Sequence, residues 1–148
     1  MLSHTLLEFL ERELLKLKEE IGLYAEEAML WEIRPGISNS AGNLCLHLLG
    51  NLNHFIGSVL GDTGYIRQRE DEFGLKNSSR MELLLSIDQT ILTINETLDS
   101  FSEADFDKTY PLEKHGKVVT TRYMLVHLLT HLNYHLGQIN YHRRLTTN

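Results

Sequence analysis

Near its C-terminal end the chain reads HLLTHLNYHLGQINYH, from His127 to His142, and this stretch holds four of its eight histidines. His127, His131 and His135 recur at every fourth residue, and Gln138 and His142 continue the line. On a helix, residues four apart lie on one face with their Cβ atoms about 6 Å apart. Two imidazoles so placed can converge on one ion, at roughly 2.0–2.1 Å for zinc. Leu125, Leu128, Leu132, Leu136 and Ile139 form an apolar stripe about a quarter turn away. The imidazoles therefore sit where the edge of this helix meets the protein interior.

A third ligand has to come from another segment. Asn43, His47, Asn51 and His54 follow one another by fours and threes, so His47 and His54 share a helical face. Three neutral histidines with one open position is a layout used for catalytic metals, whereas structural zinc favours cysteines. The only cysteine is Cys45. It falls on the aliphatic side of the same helix with Leu49, Leu52, Ile56 and Val59, which suits an inert buried thiol better than a nucleophile. The pattern is not H-E-x-x-H: Leu132 stands where a metalloprotease carries its glutamate base. The bland alternative is a set of histidines that merely pack or hydrogen-bond.

Four elements must position these groups. Leu6, Leu10, Leu14, Leu17, Ile21, Tyr24 and Ala28 step by fours and threes and predict a first helix that ends before the breaker Pro35–Gly36 in WEIRPGISNS. A second helix is expected from Ser38 or Ser40 to about Leu60. GDTGYIRQREDEFGLKNSSR then reads as a long loop. A third helix is expected from about Ser79 to Ser100, with Met81, Leu84, Leu85, Ile87, Ile91, Ile94 and Leu98 apolar. TYPLEKHGKVVT suggests a small hairpin around Lys114–His115–Gly116. The fourth helix should open at Thr120 or Thr121 and run to about Leu145. The expected fold is all-α, a four-helix bundle in one domain spanning residues 1–148, with an up-and-down order or a crossover carried by the long loop after the second helix, and a possible β-hairpin before the last helix.

Composition agrees with this reading. The chain has 148 residues, 42% hydrophobic and 23% charged, with a net charge of −6. That charge argues against general affinity for nucleic acid, which needs basic patches to neutralise phosphates, and weakly against an anionic membrane surface. A single cysteine rules out an internal disulfide and fits a cytoplasmic location. No apolar run reaches the ~18 residues of a membrane span. The acidic, periodic N-terminus reads as an amphipathic helix, not a signal peptide.

SNSAGNLCLHLLGNLNHFIG, RQREDEF and HLLTHLNYHLGQINYHRR, taken together and in order, resemble the DinB/YfiT-like superfamily of small four-helix metalloproteins, in a branch of unknown function. The resemblance implies one histidine from the second helix and two from the fourth around a divalent metal. Carried over by motif these are His47, His131 and His135, with His54 the competitor for the second-helix place. His127 would then be an outer or core group, and His142 would complement the helix dipole. Zinc, nickel, iron and manganese are all admissible. Relatives in the superfamily are thiol-dependent transferases or isomerases, so the resemblance implies a small-molecule thiol as partner and a metal-dependent transferase. The alternative is a non-catalytic metal-binding or stress-associated helical protein. If RQREDEF folds over the site, Glu70 or Glu72 could act as a base and Arg67 or Arg69 could bind an anionic substrate. Otherwise it is a solvated charged loop. Asn51 and Tyr134 are weaker candidates for a pocket wall. Bundles of this size often pair through an apolar face, so a homodimer is the expected assembly.

Overall fold

The computed structural model describes residues 1–147. Four long helices form the body: α1 (Leu2–Gly22), α2 (Ala41–Leu52), and two others joined through shorter pieces. α3 (Arg69–Gly74) is short, α4 (Arg80–Asp99) is long, α5 (Glu103–Asp107) is a single turn, and α6 (Thr121–Thr146) closes the chain. The fold is all-α. α2 does not stop at Leu52 but widens into a π-helical stretch, Asn53–Ser58, and finishes with the turn Val59–Gly61.

The start signals are local. Ser40, Ser79 and Thr120 each accept a hydrogen bond from the backbone N–H three residues on, which satisfies an otherwise unpaired donor at the mouths of α2, α4 and α6. At α4 Glu82 completes a capping box with Ser79.

The apolar stripes meet in one core. α1 contributes Leu6, Leu10, Leu14, Leu17 and Ile21, and α6 contributes Leu125, Leu128, Leu132, Leu136 and Ile139. α4 buries Leu83, Ile87, Thr90, Ile94 and Thr97, spaced by fours and threes, while Met81 and Leu85 face solvent. The inward face of this helix thus includes two threonines and excludes two of the residues expected there.

The packing order departs from simple up-and-down. α1 packs against α4 and α6, and α2 packs against the same two helices. α1 and α2 therefore face each other across the diagonal, joined by the long crossover of residues 23–40. This order brings α2 alongside α6, so that the two histidine-bearing helices touch directly.

Three expected boundaries are corrected. The first helix ends at Gly22, not near Ala28. Glycine weakens the last turn, and the chain resumes as a 3-10 helix, Glu27–Trp31. Tyr24 remains buried because it is drawn to α6: its hydroxyl lies 2.7 Å from His142 Nδ1, and His142 Nε2 donates to the Glu32 carbonyl at 2.8 Å. His142 is thus a buried tether for the crossover and not an exposed group at the helix end. The stretch 61–79, expected as loop, contains α3. It lacks apolar periodicity because it is held by polar contacts, among them the Asn43 amide donating to the Glu72 and Leu75 carbonyls at 2.9 and 2.6 Å. The anticipated hairpin reduces to two isolated bridges, Thr109–Thr120 and Lys114–Lys117.

The His142 tether carries an expected result. Tyr24→Phe leaves the ring in place and removes the hydroxyl from a buried partner. Leaving one buried polar group unpaired costs about 1–3 kcal/mol, which should appear as a lower denaturant midpoint with an unchanged slope in urea unfolding.

Candidate metal centre

α2 is the most enclosed helix. Its polar line is buried along with its aliphatic one: Asn43, His47 and Asn51 are each less than a tenth exposed. α3 covers that line, which explains how a row of polar residues can sit inside.

From this row His47 faces α6. One ring nitrogen each from His47, His131 and His135 lie within 4.8 Å of one another. His47 Nε2 and His131 Nε2 are 3.2 Å apart. Two nitrogens bound to one tetrahedral ion at 2.0–2.1 Å are separated by roughly 3.3 Å, so the observed spacing suits a shared cation. The outward nitrogens are used elsewhere. His47 Nδ1 donates to Glu72 Oε1 at 3.0 Å, and His135 Nδ1 donates to Gln138 Oε1 at 2.7 Å. Such bonds fix the ring orientation and leave the opposite nitrogen's lone pair directed inward, as metal-binding histidines require. His131 Nδ1 is buried with no partner among the described residues, as is Asn51 Oδ1 one turn beyond His47.

The electrostatics favour the neutral form of the His47 and His131 rings. Burial, reinforced by His135 and His47, pushes the His131 imidazole down to about 4. Burial also lowers His47, against the opposing pull of Glu72. Neutral imidazole is the ligating form. A hydrogen bond between His131 and His47 would by itself satisfy only two of the three convergent nitrogens.

His54 stands apart from this group. It lies seven residues after His47, roughly 10 Å along the axis, and packs on Phe55 instead, with ring centroids 4.7 Å apart. His127 is half-buried beside His115, with centroids 6.0 Å apart. Among the described residues no hydrogen bond or ring contact joins it to the triad, although its charge acts on His131 one turn on, and it is not a fully buried core group.

The RQREDEF segment is not a solvated loop. Glu72 is buried, and its carboxylate accepts from Arg67 Nε at 2.9 Å, from Arg67 Nη2 at 3.0 Å and from His47. Glu72 therefore serves as an anchored partner of His47 and is not free to act as a base, and Arg67 is spent on it. Glu70 and Arg69 are exposed. Gly50 makes the approach possible: a Cβ there would lie 2.6 Å from Glu72 Cδ. Phe73 closes the same side, its ring centroid 4.8 Å from that of His47. The Glu72–Arg67–Gly50 arrangement was invisible to spacing rules because it joins RQREDEF to a glycine of α2 17 residues before it. Cys45 is fully buried, and burial pushes its thiol up to about 12, so it is no nucleophile.

On the far side of His135 a pocket of about 450 Å³ opens, walled by His135, Gln138, Tyr134, Tyr141, Leu44 and Ile37. This is within the size range of small-molecule sites. Tyr134 lines it and Asn51 does not.

The fold and site together define a class: an all-α protein with three convergent histidines from two adjacent helices, a set that could hold a metal. Within that class the chain belongs to the family described as "Protein of unknown function (DUF1572)", whose model matches residues 4–148. No curated protein and no solved structure matches the chain. No helix among the described residues is long and apolar enough to cross a membrane.

Proposed function

We propose that this protein is a metal-dependent enzyme that binds one divalent ion through His47, His131 and His135 and acts on a small-molecule thiol. The observation that carries the reading is the convergence of three imidazole nitrogens within 4.8 Å. Resemblance of the histidine motifs to the DinB/YfiT-like superfamily supports the thiol and the transferase reaction class.

The residues divide the work. His47, His131 and His135 supply neutral donors, so the site keeps the full charge of its ion. Glu72 holds the Nδ1 proton of His47, and Gln138 does the same for His135. Arg67 fixes the Glu72 carboxylate. When bound, a divalent ion supplies Lewis acidity that favours thiolate over thiol. The pocket beside His135 gives the organic part of a substrate a partly apolar seat next to that position, and the single cysteine, Cys45, is not among its walls. A site closed entirely by protein ligands would instead serve only to staple α2 to α6.

Cobalt substitution separates these readings. Titrating the cobalt-loaded protein with a low-molecular-weight thiol should produce a saturable near-ultraviolet sulfur-to-metal band. A cobalt spectrum indifferent to thiol would reject the thiol enzyme and leave the staple.

A further inference from the structure

A second feature lies on the other flank of the triad, towards the start of α6. Phe55, on the π-helical stretch, is bracketed by two cations. The Arg67 guanidinium carbon and the Lys114 ammonium nitrogen each lie 5.9 Å from its ring centroid. Arg67 is neutralised by Glu72. No ion pair joins Lys114 to a carboxylate among the described residues, and its ammonium lies over the Phe55 ring. His115 and His127 sit face to edge beside it.

The position of Lys114 is built, not incidental. Lys114 and Lys117 exchange backbone hydrogen bonds of 2.8 and 3.0 Å around a two-residue turn. Its central residues, His115 and Gly116, have φ of 51° and 72°, the left-handed pair of a type I′ turn. Gly116 suits that geometry without strain. The segment is pinned to α2 by the Tyr110 hydroxyl, which donates to the Phe55 carbonyl at 2.7 Å. His127 lies one turn before His131, roughly 6 Å along the axis. The charge of Lys114 acts on the His127 ring.

In a chain of net charge −6, this flank therefore presents an uncompensated ammonium, imidazole donors and an apolar floor. We propose that the basin formed by Phe55, Lys114, His115 and His127 binds the anionic oxygen group, carboxylate or phosphate, of the small-molecule substrate that reacts at the triad. The assignment of this anion to the substrate rests on the metal-centre reading above. It moves anion recognition from Arg67 and Arg69, where the sequence placed it, to Lys114. Lys114 supplies the charge, the two imidazoles supply N–H donors, and Phe55 supports the stem that carries the anion.

The test is a titration of wild type and Lys114→Gln, each metal-free and zinc-loaded, with inorganic phosphate and separately with acetate, followed through the histidine ring resonances. Wild type should show saturable shifts of His115 and His127 in both metal states with at least one of the anions. Lys114→Gln should weaken that binding about tenfold, the effect of roughly 1.4 kcal/mol, with zinc content unchanged. Absence of saturable shifts with either anion, or equal affinity in Lys114→Gln, overturns the basin. Binding only to the zinc-loaded form and indifferent to Lys114 places the anion on the ion, which also overturns the basin but spares the metal reading. A protein that binds no zinc but retains the Lys114-dependent shifts leaves the anion site standing and removes the metal centre beneath it.

Discussion

His131→Ala should strip the divalent ion from the protein while leaving the helices intact. His131 provides the nitrogen that lies 3.2 Å from His47 Nε2, so without it the remaining donors no longer enclose a common point. Loss of an outer partner of a metal ligand typically costs 10–100-fold in affinity. Loss of the ligand itself should exceed about 100-fold. The helix should survive because its packing rests on Leu128, Leu132 and Leu136, all buried, and not on the imidazole edge. Metal quantification after exhaustive dialysis, with far-ultraviolet circular dichroism as the control, checks both halves. His54→Ala and His127→Ala should keep their metal. Equal loss in those two variants would mean that the histidines bind ions loosely and without the triad.

The second large effect comes from a residue that touches no ligand. Gly50→Ala adds one methyl group where Glu72 Cδ would be only 2.6 Å away. A free glutamate would swing aside, but this one is held by two hydrogen bonds from Arg67 and one from His47. Displacing it removes the acceptor that fixes His47, and metal affinity should fall about 10–100-fold. Alanine is also the better helix former by up to about 1 kcal/mol, so weakened metal binding would not be explained by a weakened helix. A chelator-competition assay gives the affinity, and urea unfolding of the metal-free protein gives the stability. Unchanged affinity would show that Glu72 does not govern the centre.

Periodicity was sufficient for much of this. Leu10, Leu14 and Leu17 in α1, and Leu128, Leu132 and Leu136 in α6, are buried where a 3.6-residue period places them. The spacing of His131 and His135 likewise put two rings on one face. What periodicity could not supply was anything made by polar contacts between segments. α3 has no apolar stripe, so its helix is legible only once Asn43 is seen to satisfy the Glu72 and Leu75 carbonyls. His142 continued the histidine line but turned out to be a buried partner of Tyr24, since at the end of a line only the neighbouring chain decides between burial and solvent. The diagonal placement of α1 and α2 was equally hidden, because a long crossover permits either neighbour order.

The choice between His47 and His54 illustrates the same division. Spacing put both on one helical face, but His47 lies in α2 and His54 in the π-helical stretch after it, and a face alone does not say at what height α6 presents its pair. The packing sets that height: His131 and His135 are level with His47, with ring centroids 5.0 and 5.3 Å from it.

X-ray absorption on the zinc-loaded protein should show one ion per chain, with scattering from three imidazole rings at about 2.0–2.1 Å and a further light-atom position not supplied by histidine. An ion surrounded by fewer than three imidazoles, or no tightly held ion at all, would contradict a three-histidine centre.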